Sequence, residues 1–233
     1  MSDPETAVRI TGAGVTLMGD LVLHRDPKGL VIFAHGSGSS RHSVRNKYVA
    51  SVLRAHGLST LLLDLLTEAE SEWTDKRFDI DLLAQRLTLA ENWAKQQDET
   101  KQLPIGYFGS STGAAAALQS AAALGDEIKA VVSRGGRPNL AKAYLAKVTA
   151  PTLLLVGGYD DGVIELNEQA YALLNCEKEM TLIPGATHLF EEAGTLEQVA
   201  ELAAQWFVKQ FPGNKADRID SGRITKISRI PFI

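Results

Sequence analysis

The sequence predicts an α/β protein built on a twisted, mostly parallel sheet with helices on both faces. Short β-branched or leucine-rich runs recur along the chain, and from the third onward most are separated by segments with a helical period. The runs are apolar throughout rather than at every second residue, which is typical of parallel strands covered on both sides. They read VRITG, VTLMGDLVLH, LVIFAHG, LSTLLLDLL, PIGYFG, IKAVVSRGG, PTLLLVGG and EMTLIPGA.

The first two runs meet at Gly14, so we expect an antiparallel hairpin at the start of the sheet. Helices are predicted from apolar stripes at helical spacing. In the last helix, Thr195 followed by Gln198 predicts a capping box. The stripes are Tyr48, Val49, Val52 and Leu53, then Leu82, Leu83, Leu87, Ala90 and Trp93.

Length and composition fit one domain over residues 1–212. The chain has 233 residues, of which 45% are hydrophobic and 22% charged, as in soluble globular proteins. After Gly213 the composition becomes basic and the amphipathic period is lost. Residues 213–233 are therefore interpreted as a basic C-terminal extension, either disordered or derived from cloning, in preference to a partner-binding arm.

Charge and targeting features exclude several classes of partner. The net charge of −4 argues against a nucleic-acid surface, because phosphate binding needs a basic stripe. Residues 1–10 lack the apolar centre of a secretory signal, and nowhere do eighteen apolar residues run together, so no membrane partner is expected. Cys176 is the only cysteine, which suits a reducing compartment. We expect a cytoplasmic protein.

The stretch PIGYFGSSTGAAAAL, residues 104–118, contains a G-x-S-x-G pattern between a strand and a helix. This is the nucleophile elbow, in which a sharp turn exposes the central serine at the end of the sheet. Glycine at positions 109 and 113 avoids collisions with neighbouring backbone. An ordinary strand-to-helix turn would carry the same five residues, so the assignment of Ser111 as nucleophile depends on its partners.

The expected partners follow in the order serine, acid, histidine. Asp160 comes just after a buried strand, and His188 lies in a loop after the next strand. A serine hydroxyl needs an imidazole to take its proton, and a carboxylate orients that imidazole. Asp161 and Asp64 are alternative acids. Of the other histidines, only His42 is retained, as a substrate contact.

The glycine-rich loop after the first parallel strand, AHGSGSS (residues 34–40), predicts an oxyanion hole. We expect the backbone N–H of Ser37 to be one donor and the N–H of Thr112, after the nucleophile, to be the other. A phosphate-binding loop is the alternative. It is less well supported, because the lysine of a P-loop and the third glycine of a dinucleotide fingerprint are missing.

With these landmarks the sequence resembles the α/β-hydrolase superfamily, and within it the small lidless members related to dienelactone hydrolase. HGSGSS, GSSTG, GGYDDGV and GATH match the four landmarks in order, within residues 1–212. The resemblance implies a sheet of about eight strands and the triad Ser111, Asp160 and His188. Dienelactone hydrolases proper use a cysteine nucleophile, whereas this chain has serine, so their specific activity is not carried over.

The substrate is expected to reach an open site. Only seventeen residues separate the IKAVVS run from Pro151, too few for a helical cap domain. Arg134 and Arg137 follow a strand at the same edge as Ser111, and Arg41 and Arg45 follow the glycine-rich loop. Guanidinium groups there can hold a substrate carboxylate or phosphate. Alternatively, these arginines pair with the acidic loop of Glu68, Glu70, Glu72 and Asp75.

Together these features predict a serine hydrolase that cleaves carboxylic esters or thioesters of small soluble molecules through an acyl-enzyme, without a cofactor or metal. The alternative is a non-catalytic sensor or partner-binding domain on the same scaffold. Such scaffolds usually lose the serine or the histidine, and this chain has both. A dehalogenase would need a carboxylate where Ser111 stands. The acyl group, the leaving group and the oligomeric state are left open.

Overall fold

An open sheet of nine strands runs through the described part of the chain. The computed structural model describes residues 3–211 and the backbone of residues 225–229. The strands are β1 (Glu5–Gly12), β2 (Val15–Val22), β3 (Leu30–Ala34), β4 (Ser59–Leu63), β5 (Ile105–Ser110), β6 (Ile128–Arg134), β7 (Thr152–Gly157), β8 (Lys178–Ile183) and β9 (Thr225–Arg229). Their spatial order is β1-β2-β4-β3-β5-β6-β7-β8-β9. The mostly parallel sheet predicted from the sequence is confirmed.

The sheet begins with the expected antiparallel hairpin. β1 pairs with β2, β2 pairs antiparallel with β4, and every later pair is parallel. Ala13 and Gly14 join the hairpin with φ values of 50° and 74°. Two successive positive φ values belong to the tight turn that matches the twist of a hairpin, and glycine adopts one of them without steric cost.

Helices cover both faces of the sheet and enclose two cores. They are α1 (Val44–Ala55), α2 (Glu68–Ser71), α3 (Thr74–Phe78), α4 (Ile80–Ala94), α5 (Thr112–Leu124), α6 (Asp161–Leu173) and α7 (Thr195–Gln210). One core lies between the sheet and α4, α5 and α6, and the other between the sheet and α1 and α7. Ala114 to Ala117 are fully buried, so α5 lies close against the sheet. The connection from β6 to β7 contains two short 3₁₀ turns, residues 138–141 and 145–147, and no helical cap domain.

Two features differ from the sequence-based expectations. The capping box at Thr195 was wrong, because Gly194 precedes α7 with a φ of 79° and the Thr195 hydroxyl donates to the Glu192 carbonyl at 2.7 Å. Residues 225–229 form a ninth strand, parallel to β8, inside the segment expected to be an extension. The rest of residues 213–233 lies outside the described residues, so the origin and order of that segment stay predictions. No helix in the described ranges is both long and apolar enough to span a bilayer.

Candidate active site

Ser111 occupies a strained turn between β5 and α5. Its backbone angles are φ 50° and ψ −119°, a conformation that costs a non-glycine residue about 1–3 kcal/mol. Hydrogen bonds hold it there: its N–H donates to the Arg134 carbonyl at 3.2 Å, and its carbonyl accepts from the N–H groups of Ala114 and Arg137, both at 3.1 Å. The elbow is thus fixed by the start of α5 and by the chain that leaves β6.

The two flanking glycines are required by close backbone packing. A Cβ on Gly113 would overlap the carbonyl oxygens of Ala34 and His35, and a Cβ on Gly109 would overlap the backbone of Ala114. Neither neighbour can rotate away, because both are main chain. The glycines therefore let β5 turn into α5 directly against the end of β3.

Asp160 and His188 make the contact that a triad needs between acid and imidazole. Nδ1 of His188 lies 2.6 Å from Oδ2 of Asp160. A carboxylate only accepts, so Nδ1 carries the hydrogen, and in the neutral form of the ring the lone pair is on Nε2. Asp161, the adjacent alternative, is the first residue of α6 and is exposed. Asp64, the other alternative, is paired with Arg41.

Residues before and after His188 hold its loop in place. The backbone N–H and the hydroxyl of Thr187 donate to the two carboxylate oxygens of Glu192, at 3.1 and 2.6 Å. These hydrogen bonds from Thr187 lower the pKa of the Glu192 carboxyl. Phe190 is buried with a φ of 55°, so its ring fixes the far side of the loop.

The imidazole lies close to the backbone around Ser111. Gly135, whose φ is 51°, separates the two: a Cβ built there would be 3.5 Å from Cε1 of His188. The preceding carbonyl, that of Arg134, accepts the Ser111 N–H. The His188 side chain is 37% exposed, so solvent and a ligand can reach it.

The predicted oxyanion donors meet in one place, but one of them is occupied. A Cβ on Gly36 would be 3.1 Å from Cβ of Ser111, so the glycine-rich loop touches the elbow. The N–H of Ser37 donates to Oγ1 of Thr112 at 2.9 Å. The N–H of Thr112 begins α5 and has no acceptor within the helix. For Ser37 to stabilise an oxyanion, its N–H has to leave the Thr112 hydroxyl.

His35 supports the glycine-rich loop from below. Its Nε2 accepts the N–H of Leu65 at 3.1 Å, and its Nδ1 lies 2.9 Å from the Gly36 carbonyl. Burial lowers the pKa of His35, against smaller opposing effects of the Gly36 hydrogen bond and the Asp64 charge. The neutral ring therefore connects the loop after β3 to the segment after β4.

A cavity of about 650 Å³ opens beside the glycine-rich loop. Arg41 and His42 both line it. Arg41 is paired with Asp64 and, at 3.3 Å, with Asp20, so its charge is already neutralised. His42 has a 58% exposed side chain with Nδ1 3.9 Å from Asp20. The prediction that Arg41 binds a substrate anion gains no support. The wall also carries several hydroxyl groups: Thr16, Ser37, Ser39, Ser40, Thr67, Ser71 and Thr112.

Arg77 also lines this cavity, and the sequence analysis did not select it. Its Nη2 donates to Thr74 Oγ1 at 3.3 Å, its Nε is buried without an acceptor, and no carboxylate in the described ranges pairs with it. The signal was available in the short basic run TDKRF, but only the fold places α3 over the glycine-rich loop. The acidic loop before it pairs with Arg86 and Lys76 through Glu70, not with the four arginines selected from the sequence.

Those four arginines have separate environments. Arg137 donates from Nε to Asn139 at 3.3 Å, and Arg45 donates from Nη1 to Glu191 at 3.0 Å. Arg134 is only 7% exposed, and no described residue provides a hydrogen-bond acceptor for its Nη1. In the described part of the chain, histidine, cysteine and carboxylate side chains nowhere gather in threes as a metal site.

Comparison with known proteins gives a consistent family. The model of the dienelactone hydrolase family matches residues 39–211. A dienelactone hydrolase from Anabaena variabilis is 51% identical, and its crystal structure aligns with a TM-score of 0.88 over 91% of this chain and 100% of that chain. The α/β hydrolase GrgF from a Penicillium species has a TM-score of 0.78 at 14% identity, over 89% and 99% of the two chains, which supports the fold alone.

Two curated relatives from strains of Mycobacterium tuberculosis are named "Putative phosphoribosyl transferase". Each is 53% identical over 206 residues, which is 88% of this chain. The chain spans about half of their length, 46%. The predicted α/β-hydrolase fold is confirmed by the structural matches, and the match of most of the sequence to one family model indicates a hydrolase. The chain belongs to the dienelactone hydrolase family.

Proposed function

We propose that the protein is a serine hydrolase that cleaves carboxylic esters or thioesters of small soluble molecules through an acyl-enzyme. One observation carries the proposal: the hydrogen bond between His188 and Asp160 beside the strained backbone of Ser111. Strain at a serine between strand and helix is costly, and it is retained where the exposed hydroxyl has a use.

In the first half-reaction, Nε2 of His188 takes the proton of Ser111 as Oγ attacks the acyl carbon. Asp160 keeps the Nδ1 hydrogen and stabilises the charged imidazolium. The carbonyl oxygen becomes an oxyanion that the N–H groups of Thr112 and Ser37 stabilise. His188 then gives its proton to the departing alcohol or thiol. Water repeats the sequence on the acyl-enzyme and releases the acid.

A lactone is a cyclic ester, so the substrate named for the Anabaena relative falls within the same chemistry. The transferase name belongs to relatives about twice as long as the matched region. The elbow, Asp160 and His188 all lie in the stretch matched by the family model. We therefore propose hydrolysis, rather than phosphoribosyl transfer, as the activity of this stretch.

Labelling with a fluorophosphonate tests the proposal. We expect one adduct per chain, measured by intact mass and mapped to Ser111, and none in Ser111→Ala. Ser110→Ala is a matched control, because Ser110 is the neighbouring residue but its hydroxyl donates to Asn46 at 3.3 Å inside the protein. It should label normally. A folded protein that takes no label and hydrolyses p-nitrophenyl acetate no faster than Ser111→Ala would favour the sensor alternative.

A further inference from the structure

Arg134 is a buried cation beside the candidate active site. It ends β6, where it pairs in register with Ser110, and only 7% of its surface is exposed. Val132, two residues earlier, belongs to the core under α1 and α7. Side chains two apart on a strand share a face, so the guanidinium is directed to the α1 side of the sheet.

This charge has no partner in the described part of the chain. Among the described residues, no carboxylate forms an ion pair with it, and its Nη1 lacks a hydrogen-bond acceptor. Burial, and secondarily the charge of Arg45, lower the pKa of Arg134 to about 10, so the guanidinium stays protonated at neutral pH. Burying an unpaired charge is strongly unfavourable, and proteins normally compensate it with an opposite charge.

A second guanidinium increases the excess of positive charge. Arg45 is the second residue of α1, so the positive end of that helix dipole lies at the same place. Its Nε is buried and has no acceptor among the residues that the structure describes. The carboxylate that pairs with Arg45 in the structure, that of Glu191, is 63% exposed and lies 3.0 Å from Nη1. Exposed pairs of this kind contribute little, so Glu191 does not neutralise both arginines.

We propose that Arg134 and Arg45 form a binding site for an oxyanion group, a carboxylate or a phosphate, on the α1 side of Ser111. Guanidinium groups bind such groups through paired, charge-assisted hydrogen bonds. The site adjoins the imidazole, because Gly135 follows Arg134 and lies against His188, while Glu191 is three residues beyond His188. It is separate from the cavity that Arg77 lines. The assignment of the anion to the ester substrate itself rests on the proposed function.

Inorganic phosphate is the first probe, measured by calorimetry and by the thermal shift of the whole chain. We expect phosphate to bind the wild type and raise its Tm, and the Kd to weaken at least tenfold in Arg134→Gln and in Arg45→Gln. Arg25→Gln, which removes an exposed charge between β2 and β3, should bind as the wild type does. Without phosphate, Arg134→Gln should melt no lower than the wild type, because an unpaired buried charge has been removed.

Two esters then identify the source of the anion. We expect kcat/KM for mono-p-nitrophenyl succinate, which carries a carboxylate, to fall at least tenfold in Arg134→Gln, and that for neutral p-nitrophenyl acetate to change less than threefold. If phosphate binds through both arginines without competing with the succinate ester, the site takes a free anion, and the proposal stands in that form.

The proposal is overturned, in favour of an adventitious ion only, if phosphate binds the wild type and both variants equally. It is also overturned if the wild type neither binds phosphate nor prefers the succinate ester. Arg45→Gln keeps the test valid should Arg134→Gln fail to fold. Phosphate binding by Ser111→Ala separates this proposal from the esterase, since that variant lacks the nucleophile but keeps both guanidinium groups.

Discussion

Replacing Asp160 with asparagine tests the arrangement on which the proposed activity depends. The change keeps the size of the side chain and removes its charge. In the wild type, Nδ1–H of His188 donates to Oδ2 over 2.6 Å. An amide in that place can present N–H instead of oxygen, which moves the imidazole hydrogen to Nε2. The ring then has no lone pair facing Ser111 and cannot act as a base.

The expected loss follows from the change of tautomer. Removing this carboxylate from a serine triad lowers kcat by about 10⁴. At 1.36 kcal/mol for each factor of ten, that is a loss of about 5.4 kcal/mol of transition-state stabilisation. The free energy of unfolding should fall by no more than about 1.5–3 kcal/mol, since one charge-assisted hydrogen bond is lost. Asp160 makes no side-chain cap on α6, so the helix itself should be unaffected.

Steady-state hydrolysis of p-nitrophenyl acetate and the rate of fluorophosphonate labelling measure the effect, with circular dichroism to check folding. Asp161→Asn is the matched control. Asp161 is the adjacent residue with the same chemistry, but it is exposed at the start of α6. Its loss should leave kcat within about twofold and cost roughly 0.3–1 kcal/mol of stability through the helix dipole.

Two results would refute this reasoning. If Asp160→Asn keeps more than a tenth of the wild-type kcat, the carboxylate does not set the tautomer of a catalytic imidazole. If Asp161→Asn is the variant that loses activity, the acid is the neighbouring residue, and the hydrogen bond to Asp160 is only structural.

Three further predictions concern the backbone around the elbow. Ser111→Gly should raise the free energy of unfolding by about 1 kcal/mol, measured by urea denaturation, because glycine relieves the strain, whereas Ser111→Ala should not. Thr112→Val removes the hydroxyl that holds the Ser37 N–H, so kcat/KM should rise about threefold to fivefold as a hydrogen bond of roughly 1 kcal/mol is lost from the ligand-free state only. A tenfold fall would mean that the hydroxyl positions the loop instead. The pKa of His35 is lowered by burial, so the neutral ring contributes stability that is fully present above its ordinary pKa of 6.5 and is lost as the pH falls below that value towards the lowered pKa of the folded protein. Melting curves of His35→Gln should therefore depend less on pH between 7.5 and 5.

The sequence was most informative where short-range backbone constraints decide the structure. The hairpin at Gly14 and the glycines on both sides of Ser111 occupy positions that other residues enter only at a steric cost, and the structure has them there. The apolar runs predicted the strands because the hydrophobic pattern of a short segment is also a local property of the sequence. The capping box at Thr195 failed, although its pattern is also local, because Gly194 offered the helix another way to begin.

Pairing between distant charged side chains could not be predicted in this way. The sequence does not distinguish Arg41, Arg45 and Arg134, but the fold does. Arg41 pairs with two carboxylates and Arg45 with one exposed carboxylate, whereas Arg134 pairs with none in the described part of the chain. Arg77 was missed because α3 reaches the glycine-rich loop only in three dimensions. The number of carboxylates that meet each arginine is set by the packing of α1 and α3 against the sheet, which no periodicity encodes.

The strain at Ser111 bears directly on the choice between enzyme and sensor. A scaffold that only binds a partner gains nothing from a non-glycine residue at φ 50°, and glycine there would be more stable. Three backbone hydrogen bonds, from Ala114 and Arg137 to the Ser111 carbonyl and from its N–H to Arg134, hold the unfavourable conformation in place. The chain that leaves β6 at Gly135 also lies against the imidazole of His188, whose Nδ1 is hydrogen-bonded to Asp160. A stability cost at the residue that the proposed chemistry needs, close to the His188–Asp160 pair, favours the proposed catalysis over a binding role.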